Sequence, residues 1–330
     1  MPGLFFVPII GQARSRGICG GVALSQTSLA RNLAMLVAVL AIGLTACGGA
    51  AAPAAEPEKT DIVMGFVPSR DVNQIQASAD AIAQYLSKET GYKVTSKTLT
   101  SYAAVAEGMT SKLIDIGWGG PLDYVKTHDQ NGAYPITASV RNGVKGYKAF
   151  VVVKSSSSIQ GLKDLKGKSF AFGDTLSASS NLYPKAAMLK EGINPDNDLK
   201  ATKISNQSAI AIAVYQGQVD AGAFYDDART NKEVVGVFPD VLTATRIIWT
   251  SPLIPADPQF VRKDLNKTNV DKLRAAMLKL SGDAQGKVWL KDLFTIDALV
   301  EASDADYDGL RDVVKSVNPA LLASPSPTAK

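Results

Sequence analysis

From Asp61 onward the chain alternates short β-rich runs with helical stripes, and it does so twice. This alternation restricts the fold more than any other feature. A β-α-β order makes neighbouring strands parallel and places helices on the faces of the sheet. Ile62–Val67 is a continuous apolar run and reads as a buried strand. Val72–Lys88 follows with Ile75, Ala79, Ile82, Ala83 and Leu86 at helical spacing, and Gly91 stands at a C-cap position. The spacing then predicts a strand over Val94–Leu99, a helix over Ala103–Lys112 and a strand over Ile114–Trp118. Pro121 fits the first position of a helix running to about Asp129.

The pattern restarts after Tyr147. Strands are expected at Ala149–Lys154, Ser169–Phe172, Ala201–Ile204 and Ala221–Tyr225, and helices at Gly161–Leu165, Ser179–Glu191 and Ser208–Gln216. A further strand is read at Arg246–Thr250. The helical segments Asn269–Ser281 and Asp306–Val317 have no place in the second unit, so the chain is expected to return to the first. The reading is an α/β protein with largely parallel sheets in two lobes, residues 61–146 plus 248–318 and residues 147–247. Hinges are expected near 146–148 and 247–250. Clefts of this kind bind ligands at strand C-termini.

The first 60 residues obey a different logic. Arg14, Arg16 and Arg31 are the only charged residues before position 47, and an apolar run from Leu33 to Leu44 follows them. That run is short of the roughly 20 residues of a membrane span and reads as the core of a secretory signal, residues 1–46. Leu44-Thr45-Ala46-Cys47, followed by Gly48-Gly49, resembles the bacterial lipobox, in which the cysteine is lipidated. The plainer reading is a small apolar helix with a buried Cys47. Residues 47–60 read as a flexible tether and 319–330 as a disordered tail. Removing the leader takes away three arginines and no acid, so the formal charge falls from +4 to +1.

Composition excludes several functions. The chain has 1 histidine and 2 cysteines, and one of these, Cys19, leaves with the signal. A catalytic triad would rest wholly on His128, and a histidine-based or cysteine-rich zinc site has too few ligands. No catalytic residue, metal or cofactor is expected. The near-balanced charge gives no reason to expect a nucleic-acid partner. An enzyme using paired carboxylates is the reading from another class, but no nucleophile stands beside a base.

The loops after strand ends hold the informative residues. Gly173-Asp174-Thr175-Leu176-Ser177-Ala178-Ser179-Ser180 joins a strand to a helix. The N–H groups and hydroxyls there suit an oxyanion; simple N-capping by serine explains the same residues. Trp118, in Gly117-Trp118-Gly119-Gly120-Pro121, either walls a cleft or packs in the core. Gln207 lies in a second capping turn, Asn206-Gln207-Ser208. Tyr225-Asp226-Asp227 follows a buried strand, where an acid could take a ligand amine, accept from a protonated oxygen, or only cap a solvated turn. Asp257 lies in the proline-rich segment Ser251–Pro258.

These segments resemble the phosphonate/phosphite/phosphate-binding proteins of bacterial ABC importers. The resemblance rests on Ser101-Tyr102-Ala103-Ala104-Val105, Ile114-Asp115-Ile116-Gly117-Trp118-Gly119-Gly120-Pro121, Leu162-Lys163-Asp164-Leu165-Lys166-Gly167-Lys168, Ala171-Phe172-Gly173-Asp174 with its serine loop, Val219-Asp220-Ala221-Gly222-Ala223 and Ser251-Pro252-Leu253-Ile254-Pro255. It implies a two-lobed type II periplasmic-binding fold closing on a phosphorus oxyanion. It further implies an extracytoplasmic, lipid-anchored monomer that serves a permease and an ATPase. By resemblance, Ser177, the Ala178 N–H, Ser179, Ser180 and Gln207 hold the anion with Tyr102 from the other lobe. Asp227 and Asp257 match acids that hold a ligand amine, and Tyr225-Asp226 matches a pair near the anion. The family loop reads Ser-Thr-Ser-Gly where this chain has Ser177-Ala178-Ser179-Ser180, and a common histidine is replaced by Gln207. A sulfonate ligand, or a sensor without a transporter, stays open.

Overall fold

The structure is a computed structural model and describes residues 56–322. The signal, Cys47, tether residues 47–55 and tail residues 323–330 lie outside the described residues. Among the described residues thirteen strands follow in chain order: β1 (Asp61–Phe66), β2 (Lys93–Thr98), β3 (Ile116–Trp118), β4 (Tyr134–Val140), β5 (Gly146–Tyr147), β6 (Ala149–Lys154), β7 (Ser169–Phe172), β8 (Lys200–Lys203), β9 (Ala221–Tyr225), β10 (Thr245–Thr250), β11 (Ile254–Pro255), β12 (Pro258–Val261) and β13 (Ala298–Glu301). The helices are α1 (Val72–Thr90), α2 (Tyr102–Thr110), α3 (Pro121–Asn131), α4 (Tyr183–Lys190), α5 (Gln207–Gln216), α6 (Lys232–Val235), α7 (Val241–Ala244), α8 (Lys267–Leu280), α9 (Ala284–Phe294) and α10 (Asp308–Val317).

One lobe is built on a six-stranded sheet in the order β13-β4-β12-β3-β1-β2, the other on a five-stranded sheet in the order β10-β6-β9-β7-β8. Strands β1, β2 and β3 pair in parallel, as the β-α-β order requires. Helix α1 starts where Asp71 accepts from the Gln74 N–H and stops at Gly91 in the left-handed region, φ 76°. Its stripe of Ile75, Ala79, Ile82, Ala83 and Leu86 is buried on one face of the first sheet, together with α8 and α9. Burying each large side chain of this kind stabilises the lobe by roughly 1.5–3 kcal/mol. Helices α2, α3 and α10 cover the opposite face. In the second sheet Val151 and Val153 point to one core, with Phe170 and Phe172; Val152 and Ala171 point to another, with Ile210 and Val214. That is the two-residue period of a strand buried on both sides.

Both sheets are mixed rather than largely parallel. In the first sheet β12 pairs antiparallel with β3 and β4, and β13 with β4; β6 runs antiparallel to both of its neighbours. The chain returns from the second lobe at the C-terminal end of β3, where Gln259 pairs with Trp118, so β12 runs opposite to β3. The sequence pattern hides these strands: β4 carries Pro135 and β12 opens on Pro258. The register shifts between Gln259 and Phe260, opposite Pro135, which has no N–H to donate. Strand β10 pairs with β6, so the second sheet extends to Thr250. The return crossing therefore follows at 251–257 and not at 247–250 as expected. The outgoing and returning crossings meet as a two-stranded ribbon, Tyr147 opposite Ile254 and Gly146 opposite Pro255.

Two further expectations are corrected. Residues 56–60 are pinned to the lobe by charge. Asp115 is fully buried and receives Arg262 Nε at 2.9 Å, Lys59 Nζ at 2.8 Å and the Val63 N–H at 3.0 Å. Arg262 also pairs with Glu56 and Asp264, and Lys112 reaches both of those acids at 2.6 Å. At the other end, Pro319–Leu322 forms a single helical turn, with Leu321 partly buried against the core beside α10. Among the described residues no helix is long and apolar enough to cross a membrane. Because a buried acid that loses its cation is costly, Arg262→Ala should lower unfolding stability by about 3 kcal/mol, seen as a fall in the urea midpoint. The exposed Lys267→Ala should leave it within about 0.5 kcal/mol.

Candidate functional site

The site begins with a proline. Pro184 has no N–H, so an α-helical bond to the Ser180 carbonyl cannot form. The chain instead makes a widened turn over Ala178–Leu182, in which the Leu182 N–H reaches back to the Ser177 carbonyl at 3.1 Å. Helix α4 starts only at Tyr183, not at Ser179 as expected. The freed Ser180 carbonyl accepts the Gly173 N–H at 2.9 Å. Gly173 is required there, since a Cβ would lie 2.6 Å from the Ser180 Cβ. Ser177 caps the turn, its Oγ accepting from the Ser180 N–H at 3.2 Å and the Ser180 hydroxyl at 2.7 Å. The N–H groups of Ala178 and Ser179 precede the first bond of the turn.

Ser177, Ala178 and Ser179 line a cavity of about 40 Å³ between the lobes. One water needs roughly 10–15 Å³ by this measure, so the space suits three waters or one small tetrahedral oxyanion. The second lobe also contributes Gln207, Tyr225 and Asp226; the first contributes Ser69, Tyr102, Gly119, Gly120, Arg141 and Asp257. Gln207 is fixed at the start of α5. Its Oε1 accepts from the Tyr225 N–H at 2.8 Å and the Ser179 hydroxyl at 3.3 Å, which leaves the Nε2 end to donate. Its backbone N–H crosses to the Ser69 carbonyl at 3.0 Å. Arg70–Glu233 at 3.0 Å and Lys232–Asp292 at 2.6 Å also join the lobes.

The remaining candidates fall elsewhere. Trp118 is core: it is buried and stacks on Phe66 with ring centroids 5.2 Å apart. Ser180 is buried and spends its hydroxyl on Ser177. Asp227 borders a separate, wider groove of about 530 Å³, where Arg229 grips its carboxylate at 2.7 Å. His128 sits at the end of α3, where its Nδ1 lies 2.7 Å from the Ala133 carbonyl. The sequence reading missed Arg141, Ser69 and Tyr147. Arg141 had a signal: Asn142-Gly143 between Val140 and Val144 marks a tight turn. Both turn residues have positive φ, and Arg141 pairs with Val144 across it.

Charge in the cavity is controlled by burial. Burial first, then the nearby Asp257 carboxylate, pushes the Tyr102 and Tyr147 phenols up, so both stay neutral donors. Burial also raises the Asp226 carboxyl. Beneath Gly119 lies Asp123, fully buried with both oxygens unpartnered. Burial, then Asp174, raises its carboxyl well above the usual range, which favours the protonated form.

Fold and cavity together define a class, the two-lobed type II periplasmic-binding proteins. Within it, residues 64–307 match the family described as ABC transporter, phosphonate, periplasmic substrate-binding protein, and the chain belongs to that family. The phosphate-import protein PhnD of Mycolicibacterium smegmatis is 29% identical over 308 residues, 86% of this chain and 94% of that protein. A solved binding protein component of an ABC phosphonate transporter from Pseudomonas aeruginosa gives a TM-score of 0.70 at 25% identity, over 78% of this chain and 86% of that one. PhnD1 from Prochlorococcus marinus, solved in complex with methylphosphonate, has a TM-score of 0.69 at 23% identity over 78% of this chain and 98% of that one, a likeness of fold.

Asp123 yields a test of the floor. A carboxyl raised by folding supports stability that is full below its unfolded value and lost as pH rises through its folded value. Asp123→Asn keeps the shape and removes the proton. In urea titrations from about pH 4 to about pH 9 the variant should gain on the parent as pH rises, by roughly 1–3 kcal/mol at the top of the range. A constant difference would mean the parent carboxyl does not titrate.

Proposed function

We propose that this chain is the extracytoplasmic receptor of an ABC importer and captures a small phosphorus oxyanion, a phosphonate, phosphite or phosphate, between its lobes. One observation carries the reading: the Ser177–Ser179 turn presents the Ser177 hydroxyl and unbonded N–H groups to a cavity of about 40 Å³, opposite the Tyr102 phenol and the Arg141 guanidinium. Aligned N–H groups at a helix start favour an anion, and the phenol and amide add neutral donors. The family match and the phosphate-import relative agree with this ligand class.

Capture follows from geometry. Ser177, Ser179 and Gln207 belong to one lobe, Tyr102 and Arg141 to the other. Only the closed arrangement brings both sets to one ligand, so binding stabilises closure by the difference in contacts. In this reading the closed protein docks on a permease driven by an ATPase, acts as a monomer, is held to the membrane through lipidated Cys47, and catalyses nothing. The cavity presents no nucleophile paired with a base.

Titration calorimetry of the purified protein against phosphate, phosphite, methylphosphonate, a sulfonate and nitrate tests the ligand. At least one phosphorus oxyanion should bind, with the sulfonate and nitrate far weaker; sulfonate alone would move the ligand class. Ser177→Ala should weaken the preferred anion about 5- to 100-fold, through a lost hydroxyl and a loosened turn. Unchanged affinity would place the anion away from this loop.

A further inference from the structure

Arg141 is the cavity's cation, and its bonds are unequally met. Its Nε donates to the Phe294 carbonyl at 2.9 Å, and its Nη2 to Asp257 at 2.7 Å. Its face lies over the Tyr147 ring at 5.7 Å. The Nη1 group is buried and has no partner. Buried donors of a charged group are rarely left so, and an unmet one disfavours the state that contains it. We propose that Arg141 determines specificity: its Nη1 binds an oxygen of the anion, and its charge restricts the ligand to small oxyanions that carry no cationic substituent. The proposal rests on the reading of the site as a phosphorus-oxyanion site.

The argument has three independent parts. First, the acids near the site that suit a ligand amine are already engaged. Asp257 is held by Arg141 and Asp227 by Arg229, each at 2.7 Å. Asp226 is the cavity acid without an arginine on it, but it lies within the field of Arg141. An ammonium placed there would meet a like charge; a protonated ligand oxygen would not. Second, the chamber admits little beyond the anion itself. Third, Arg141 borders both the chamber and the groove of about 530 Å³, together with Tyr225 and Asp226. These side chains form the partition that keeps a longer substituent from reaching the groove. Arg141 is held there by its own backbone, since the turn at Asn142 and Gly143 returns the chain to pair Arg141 with Val144.

Calorimetry of the purified protein with phosphate, phosphite, methylphosphonate and 2-aminoethylphosphonate tests this. The parent should prefer one of the first three over 2-aminoethylphosphonate by at least about 10-fold. Arg141→Ala should weaken the preferred anion about 10- to 100-fold, the range of a lost charge-assisted bond. It should also narrow the gap to the aminophosphonate, because Asp257 is freed and the partition opened. Arg141→Lys should recover part of the anion affinity. If Arg141→Ala unfolds because Asp257 is stranded, Arg141→Ala/Asp257→Ala removes both charges and should still lose the anion. Two results overturn the proposal: an arginine variant that binds the anion as the parent does, or a parent that binds 2-aminoethylphosphonate as tightly as methylphosphonate. A parent that binds none of the four overturns the functional reading as well, and is distinguished by the parent titrations alone.

Discussion

The whole site depends on one short pairing, the ribbon where the two crossings of the chain meet. Tyr147 lies opposite Ile254 and Gly146 opposite Pro255. The approach is close: a Cβ on Gly146 would lie 2.7 Å from the Ile254 carbonyl oxygen, so this position must be glycine. The pairing brings the ends of two distant segments together. Arg141 stands just before the outgoing strand and Asp257 just after the returning one, and their 2.7 Å ion pair follows. Tyr147 then lies beneath the guanidinium. The ribbon is therefore both the connection between the lobes and the support of the wall that carries the cavity's arginine.

The opposite wall carries no cation. Its donors are hydroxyls, an amide and N–H groups, fixed by the proline-widened turn and by the bond from Gly173 to Ser180. Neutral donors suit a receptor that must also release its ligand, since they give direction without the strength of several fixed cations. The cost of placing one guanidinium opposite them is offset by Asp257. The cavity thus combines shape from one lobe with a single screened charge from the other.

Much of this was legible in the sequence, and the parts that were not have physical reasons. The parallel strands β1, β2 and β3 and the stripe of α1 follow from periodicity alone, because local pattern decides them. Strands β4 and β12 were missed because Pro135 and Pro258 read as breaks, while tertiary pairing tolerates them through a register shift. Ser177, Ser179 and Gln207, which line the cavity, are legible because they open strand-to-helix turns, a local feature. Arg141 was not, since its role arises only when Asp257, 116 residues away, is brought to it. Trp118 and Asp227 stand at strand ends, and that position does not say which side a chain turns: one enters the core, the other meets Arg229. Residues 56–60 looked like a tether by composition, but Glu56 and Lys59 belong to the buried cluster around Asp115 and Arg262.

Helix α10 has a consequence for movement. Its Leu310 and Val314 share one apolar core with Leu182 and Tyr183 of the other lobe. Across the molecule the lobes are joined by Arg70–Glu233 and Lys232–Asp292, which are ion pairs. Separating the first side would expose hydrocarbon to water; separating the second exchanges salt bridges for hydration. The two sides are thus unlike, in the way that the spine of a book differs from its fore-edge. Opening at the Arg70 side therefore exposes less hydrocarbon than opening at the α10 side.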